Sequence, residues 1–132
     1  KKDDLLEANR VVLDTMLHRD IRGETDSRSQ VVGRVEIGRG TRVVGSTIRG
    51  PASIGEGCLI TNSHIGPFTS VGPGTVIEGS SVEHSVILEN GRIQGIERLE
   101  DSLIGKGVEL RKADTRFKTV KIFVGCDSRL EL

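Results

Sequence analysis

Between Val31 and Leu110 the aliphatic residues keep a beat. They fall at Val31, Ile37, Val43, Ile48, Ile54, Ile60, Ile65, Val71, Ile77 and Val82, in steps of six, six and five residues, three times over. Three steps make a unit of 17 residues. Past Val82 the beat loosens by one residue and continues through Leu88, Ile93, Leu99, Ile104 and Leu110. Two residues before most of these aliphatics sits a small one: Thr41, Ser46, Ala52, Cys58, Ser63, Thr69, Thr75, Ser80 and Ser102. Glycine often follows, as at Gly38, Gly55, Gly66, Gly72 and Gly105. This is the hexapeptide pattern of a parallel β-helix.

Alternate residues of a strand share one face, so a small residue and an aliphatic two apart both point inward. Three aliphatics per unit imply three short strands per turn and a triangular coil of about five turns. The aliphatic fills the prism, and the residue before it is small because faces converge there. Glycine after the aliphatic suits a tight corner that takes positive φ. Successive turns stack about 4.8 Å apart. Three inward columns follow: Val31, Ile48, Ile65, Val82, Leu99; then Ile37, Ile54, Val71, Leu88, Ile104; then Val43, Ile60, Ile77, Ile93, Leu110. Ordinary strands of a sandwich would not repeat the same unequal spacing three times.

Residues 3–18 read as an amphipathic helix, with Asp3 or Asp4 able to cap its start. Leu5, Leu6, Val12, Leu13, Met16 and Leu17 lie on one stripe at helical spacing. Asn9, within that stripe, is expected to pack its amide against a neighbouring carbonyl. The polar stretch from Asp20 to Ser29 reads as a linker. The expected organisation is therefore a helix and linker over 1–29, the β-helix over 30–112, and a C-terminal strand and tail over 113–132. In the last stretch Val120, Ile122 and Val124 alternate as a strand that could cap the coil. Gly91 and Glu97 fall in small-residue slots, and an inward Glu97 predicts a bulge or loop between Gln94 and Glu100. Outward apolar residues (Val44, Leu59 and Val76 on one face, Ile87 and Leu103 on another) could form stripes covered by the helix or by another subunit.

Composition narrows the picture. Nineteen basic and 19 acidic residues give zero formal net charge, which argues against a nucleic-acid or anionic-membrane surface. Three Phe, no Trp and no Tyr fit a core built from Ile, Val and Leu. Cys58 occupies an inward slot and Cys126 the tail, so no disulfide framework is expected. No signal peptide or membrane-length apolar run is present, and the expected location is cytoplasmic. The chain begins with Lys rather than Met and reads as a piece of something longer.

Candidate chemistry is sparse. Gly38-Arg39-Gly40-Thr41-Arg42-Val43 looks like the phosphate-cradling signature of sugar nucleotidyltransferases, yet every residue in it is explained by the repeat. His64 faces outward, where hexapeptide acyltransferases place a general base, but a solvated histidine explains it as well. His18, His64 and His84 lack the spacing of a three-histidine zinc site. Arg42, Arg49 and Arg92 read as solvated charges. The sequence therefore nominates no catalytic, cofactor-binding or metal-binding residue.

Leu5-Leu6-Glu7-Ala8-Asn9, after an acidic pair, resembles a helix of bacterial glucose-1-phosphate thymidylyltransferases. Ile48-Arg49-Gly50-Pro51 and the run from Asn62 to Gly72 resemble the β-helical extension of that family's long form, found in actinobacteria and archaea. Val124-Gly125-Cys126-Asp127-Ser128 is similar to its terminus, with Cys126 as an insertion. The resemblance spans essentially the whole chain and implies a left-handed parallel β-helix with an N-terminal α-helix. It also implies a non-catalytic C-terminal domain for assembly or regulation. Residues 1–29 would be left from the end of the nucleotidyltransferase domain. The parent would join dTTP and glucose 1-phosphate into dTDP-glucose and pyrophosphate, in deoxysugar biosynthesis. Mg²⁺ and the catalytic residues would belong to the missing domain, so this chain is expected to be inactive alone. Implied partners are the chain's own nucleotidyltransferase domain and further copies of itself. A hexapeptide acyltransferase domain and a free-standing β-helical scaffold are the alternatives.

The register makes a direct prediction. Ile65→Lys abolishes folding, because an unpaired buried lysine costs several kcal/mol, whereas His64→Ala stays within about 0.5 kcal/mol. Thermal melts that rank the two mutants equal would refute the register.

Overall fold

The computed structural model describes residues 1–112 and 129–131. Helix α1 (Lys2–Met16) is followed by a coil whose strands form three parallel sheets of six, seven and five strands. The first face carries Val35–Ile37, Ala52–Ile54, Thr69–Val71, Val86–Ile87 and Leu103–Ile104. The second carries Arg42–Val44, Leu59–Thr61, Val76–Glu78, Arg92–Gln94 and Glu109–Arg111. The third carries Gln30–Val32, Thr47–Arg49, His64–Ile65, Ser81–Glu83 and Leu99–Glu100. Strand pairing starts earlier than the expected boundary at residue 30: Asp20–Ile21 pairs with Val35–Ile37, and Glu24–Thr25 with Arg42–Val44. At the other end Arg129–Glu131 adds a parallel strand on Glu109–Arg111. The strand expected around Val120 to Val124, and Cys126, lie outside the described residues.

The inward columns form the core. Ile37, Val43, Ile48, Ile54, Ile60, Ile65, Ile77, Val82 and Ile93 are all buried, and Val31, Leu99 and Ile104 pack against them. The column from Val31 through Ile48, Ile65 and Val82 to Leu99 is in register as expected. One column differs. Val71 pairs with Ile87, and Ile87 with Ile104. Ile87 is 1% exposed and Leu88 41% exposed, so Ile87, not Leu88, points inward. The corner between Val82 and Ile87 is one residue shorter than that between Ile65 and Val71. The missing residue comes back later. Ile96 fills the slot above Ser80, and Glu97 and Arg98 are turned out to solvent before Leu99 regains the register. The bulge expected between Gln94 and Glu100 is this restoration.

The small-residue rule has a polar cause as well as a steric one. Ser46, Ser63 and Ser80 each donate a hydrogen bond to the carbonyl two residues back, at 2.9, 2.8 and 2.9 Å. Each also accepts from a backbone N–H one turn on: that of Ser63 at 3.0 Å, Ser80 at 3.1 Å and Ile96 at 3.0 Å. Ser29 starts this ladder by accepting from the N–H of Ser46, and its own hydroxyl donates to Asp26. That hydrogen bond, helped by the backbone N–H of Gly45, holds the Asp26 carboxyl below its ordinary range. At another corner Thr41 makes both of its bonds to the next turn, donating to the Gly55 carbonyl and accepting from the Cys58 N–H. Among the described residues no buried side-chain nitrogen or oxygen lacks a partner, as a packed interior requires.

Glycine after the aliphatic serves close approach rather than positive φ. A Cβ on Gly38 would lie 2.7 Å from the Glu56 nitrogen, and one on Gly72 2.6 Å from that of Glu89. The left-handed positions fall two residues later, at Gly40, Gly57, Gly74 and Asn90. Asparagine tolerates that conformation better than most side chains.

Helix α1 differs from expectation on two points. Lys1 is its N-cap, without a side-chain cap, while Asp3 and Asp4 lie in the first turn, where negative charge suits the helix dipole. Of the six residues of the expected stripe only Leu6, Leu13 and the C-cap Leu17 are buried; Leu5, Val12 and Met16 are exposed, as is Val11.

The shifted corner is testable. Ile87→Asp is expected to cost several kcal/mol because it buries an unpaired charge, and Leu88→Asp less than about 1 kcal/mol. Urea denaturation curves give the order, and the reverse order would restore Leu88 to the core.

Candidate functional site

The only helix among the described residues is α1, and where it sits distinguishes one face of the coil from the others. It packs on the first face, against Thr69–Val71. Asn9 pins it there: Nδ2 donates to the Phe68 carbonyl at 3.2 Å, and Oδ1 accepts from Ser70 Oγ at 2.5 Å. Asn9 thus satisfies a carbonyl, as expected, and also a hydroxyl. One end of the helix is held by Arg34 of the coil. Its guanidinium donates to the carbonyls of Asp14 at 2.6 Å and Leu13 at 3.4 Å, and contacts the Asp14 carboxylate at 3.3 Å. These carbonyls belong to the last turn, whose acceptors lack helical partners. No basic residue of α1 lies in that turn, so the coil supplies the charge favoured there. Just beyond the helix, Arg19 donates to the carbonyls of Gly33 and Val31.

Beside Asn9 lies the corner between the third and first faces. Phe68, His84 and Asp101 stack there, all at positive φ. His84 Nδ1 is hydrogen-bonded to Asp101 Oδ1, and the Phe68 ring meets the imidazole edge-on, with centroids 6.3 Å apart. Glu7 of α1 completes the surroundings. Its hydrogen bond with Arg10 holds its carboxyl below the ordinary range, with a smaller pull from His84. An imidazole oriented by a carboxylate is one half of a general-base arrangement. Here it sits on a corner of the coil, where histidine and aspartate are among the side chains that best accept positive φ.

The residues singled out in the sequence are dispersed over the coil. The Gly38-Arg39-Gly40-Thr41-Arg42-Val43 string is one corner and the strand after it. Thr41 is fully buried in the hydroxyl network, and Arg42 lies 4.0 Å from Glu24 on the surface. His64 faces outward from the third face, half-buried. Cys58 is inside the prism, 3.2 Å from the Gly72 carbonyl, and burial pushes its thiol up. Among the described residues no three His, Cys, Asp or Glu side chains gather as a metal site would require. The His84–Asp101 pair is absent from the candidates that the sequence suggests. Its signal is nonetheless present there, since the two residues are 17 apart, one turn of the coil. The period stands out at apolar positions and is easily missed at polar ones.

Leu59 and Val76 are neighbours on the second face, half-buried, with Arg42 and Arg92 at the positions on either side. Val44 lies in the adjacent column beside Thr61. On the first face the outward apolar neighbours are Val86 and Leu103, since Ile87 is turned in.

No family profile matches the chain. Two curated relatives do. The chain is 43% identical over 129 residues to a protein of Streptomyces antibioticus, and 40% identical over 129 residues to one of Streptomyces griseus; both are named glucose-1-phosphate thymidylyltransferase. Each match covers 98% of this chain and 36% of the relative. The chain thus spans about a third of the relatives' length, their C-terminal part.

The hold on α1 predicts that Asn9→Ala lowers stability by about 1–2 kcal/mol, by leaving the Phe68 carbonyl and the Ser70 hydroxyl without their partner. Asp14→Ala, at an exposed ion pair, changes it by less than about 0.5 kcal/mol. Denaturant titrations of the two variants check this; equal effects would mean that Asn9 does not anchor the helix.

Proposed function

We propose that this chain, a homologue of the C-terminal part of glucose-1-phosphate thymidylyltransferases, is the non-catalytic C-terminal domain of such an enzyme and serves its assembly. The observation that carries the reading is the match itself, which takes in nearly all of this chain and 36% of the relative. The parent would transfer a thymidylyl group from dTTP to the phosphate of glucose 1-phosphate, releasing pyrophosphate. That chemistry needs a phosphate cradle, acidic residues to hold Mg²⁺ and positive charge at the α-phosphate. The coil's residues are committed otherwise. Thr41 is spent on the corner network. Glu36, Glu56, Glu78 and Glu83 sit at separate places on the coil, on different faces or corners. Mg²⁺ and both substrates would therefore be held by the domain upstream.

The assembly role draws on the second face. The half-buried pair Leu59 and Val76 lies away from the face on which α1 packs. A second copy laid against it would remove this apolar surface from water, and zero net charge offers little repulsion between copies. No helix among the described residues is long and apolar enough to cross a membrane, and a cytoplasmic location is part of this proposal.

Purified chain with dTTP, Mg²⁺ and glucose 1-phosphate is expected to release no pyrophosphate above a protein-free control. The same chain joined to its upstream segment is expected to release it. Turnover by the chain alone, lost in Arg42→Ala, would move the active site into the coil.

A further inference from the structure

The second face is the seven-stranded sheet, and Val76–Glu78 is its central strand. One outward column crosses all seven strands in register: Glu24, Arg42, Leu59, Val76, Arg92, Glu109 and Arg129. Its charges run minus, plus, then past Leu59 and Val76 to plus, minus, plus. Turned end over end about Val76, this column becomes its own complement. Glu24 meets Arg129 of the turned copy, Arg42 meets Glu109, Leu59 meets Arg92, and Val76 meets Val76. Both acidic residues of the column then oppose basic ones, and Leu59 lies under the aliphatic stem of an arginine. Among the described residues Arg42 already lies 4.0 Å from Glu24, and Arg129 3.1 Å from Glu109. The turned copy would join one such pair to the other, closing a ring of four alternating charges at each end of the face.

The centre of the face agrees with the same arrangement. The side chains of Glu78 and Arg92 are exposed and make no hydrogen bond or ion pair among the described residues. In the turned arrangement the two Glu78 side chains flank the axis, each one strand spacing of about 4.8 Å from both Arg92 guanidiniums. Coils pointing the same way lose this match. The column would then oppose the one through Val44, setting Arg42 against Val44 and Val76 against Glu78, and a carboxylate pressed on valine loses its water. We propose that the second face is a two-fold interface between copies of this chain, with the coils antiparallel and Val76 on the axis. This rests on the assembly reading and adds its symmetry and register. A face about 29 Å long at that strand spacing is small for an interface, so the dimer is a reversible one.

Sedimentation of the chain over a range of concentrations and salt tests this. A dimer is expected that dissociates on dilution and weakens with salt. Arg42→Glu and Glu109→Arg each set like charges against one another across the interface, and each is expected to raise the dimer Kd at least fivefold. An equimolar mixture of the two variants is expected to dimerise as tightly as the unaltered chain, because the new acid then faces the new base. In a Cys126→Ser background, mild oxidation is expected to link Val76→Cys into a dimer at least tenfold faster than Leu59→Cys, since only Val76 meets its own copy. If copies associate but Leu59→Cys links as fast, or the mixture is no tighter than its separate parts, the assembly reading stands and this register is refuted. A monomer at every concentration removes the assembly reading and this inference with it.

Discussion

Backbone groups buried at a corner of this coil must find a partner in the turn above or below, or in a short side chain of their own turn. That constraint governs the rest of the structure. Within the strands, parallel pairing meets it automatically. At the corners the chain changes direction, and the regular ladder cannot reach every group. Buried hydroxyls close the gap, as where Ser46, Ser63 and Ser80 each link a carbonyl of their own turn to an N–H of the next. A buried N–H left unpaired costs about 1–3 kcal/mol, so the position needs a short side chain that both donates and accepts. Alanine satisfies only the steric half of that demand. Serine and threonine satisfy both halves, which is why they predominate in the slots.

The same constraint explains how the coil absorbs irregularity. The fourth turn loses one residue at the corner through His84 and regains one at Glu97 and Arg98. Between those two points the strands remain paired, at an offset of 16 rather than 17 residues. A one-residue slip left in place within a strand would turn every following side chain to the wrong face. Placing both changes at corners keeps Ile87, Ile93 and Leu99 pointing toward the core. The corner that lost a residue is also where His84 and Asp101 meet and where Phe68 abuts the ring.

Helix α1 belongs to the coil by a few specific ties rather than by a broad interface. Leu6, Leu13 and Leu17 are its buried apolar residues, and Asn9 and Arg34 are the polar clamps. Its remaining apolar residues face away. The coil buries its inward columns, while Leu59 and Val76 on its second face and Leu5, Val12 and Met16 on α1 leave apolar surface outside that core.

The architecture is legible along the chain alone, because a parallel coil repeats one environment at each turn. A pattern of Ile, Val and Leu two residues after a small polar residue leaves few other folds that could bury it. The helix, the amide bond of Asn9 and the bulge before Leu99 are legible too, each from a local departure from the pattern. Three things needed the folded chain. Leu88 and Ile87 are adjacent and both apolar, so only pairing with Val71 and Ile104 chose the inward one. Glycines such as Gly38 are required by a neighbouring turn's backbone, which no local spacing reveals. The six apolar residues from Leu5 to Leu17 that share a stripe on a helical wheel look alike, and only the seat of α1 against Phe68, Ser70 and Arg34 decided which half of them is buried. In each case the deciding contact is one or more turns of the coil away, beyond what a pattern along the chain can specify.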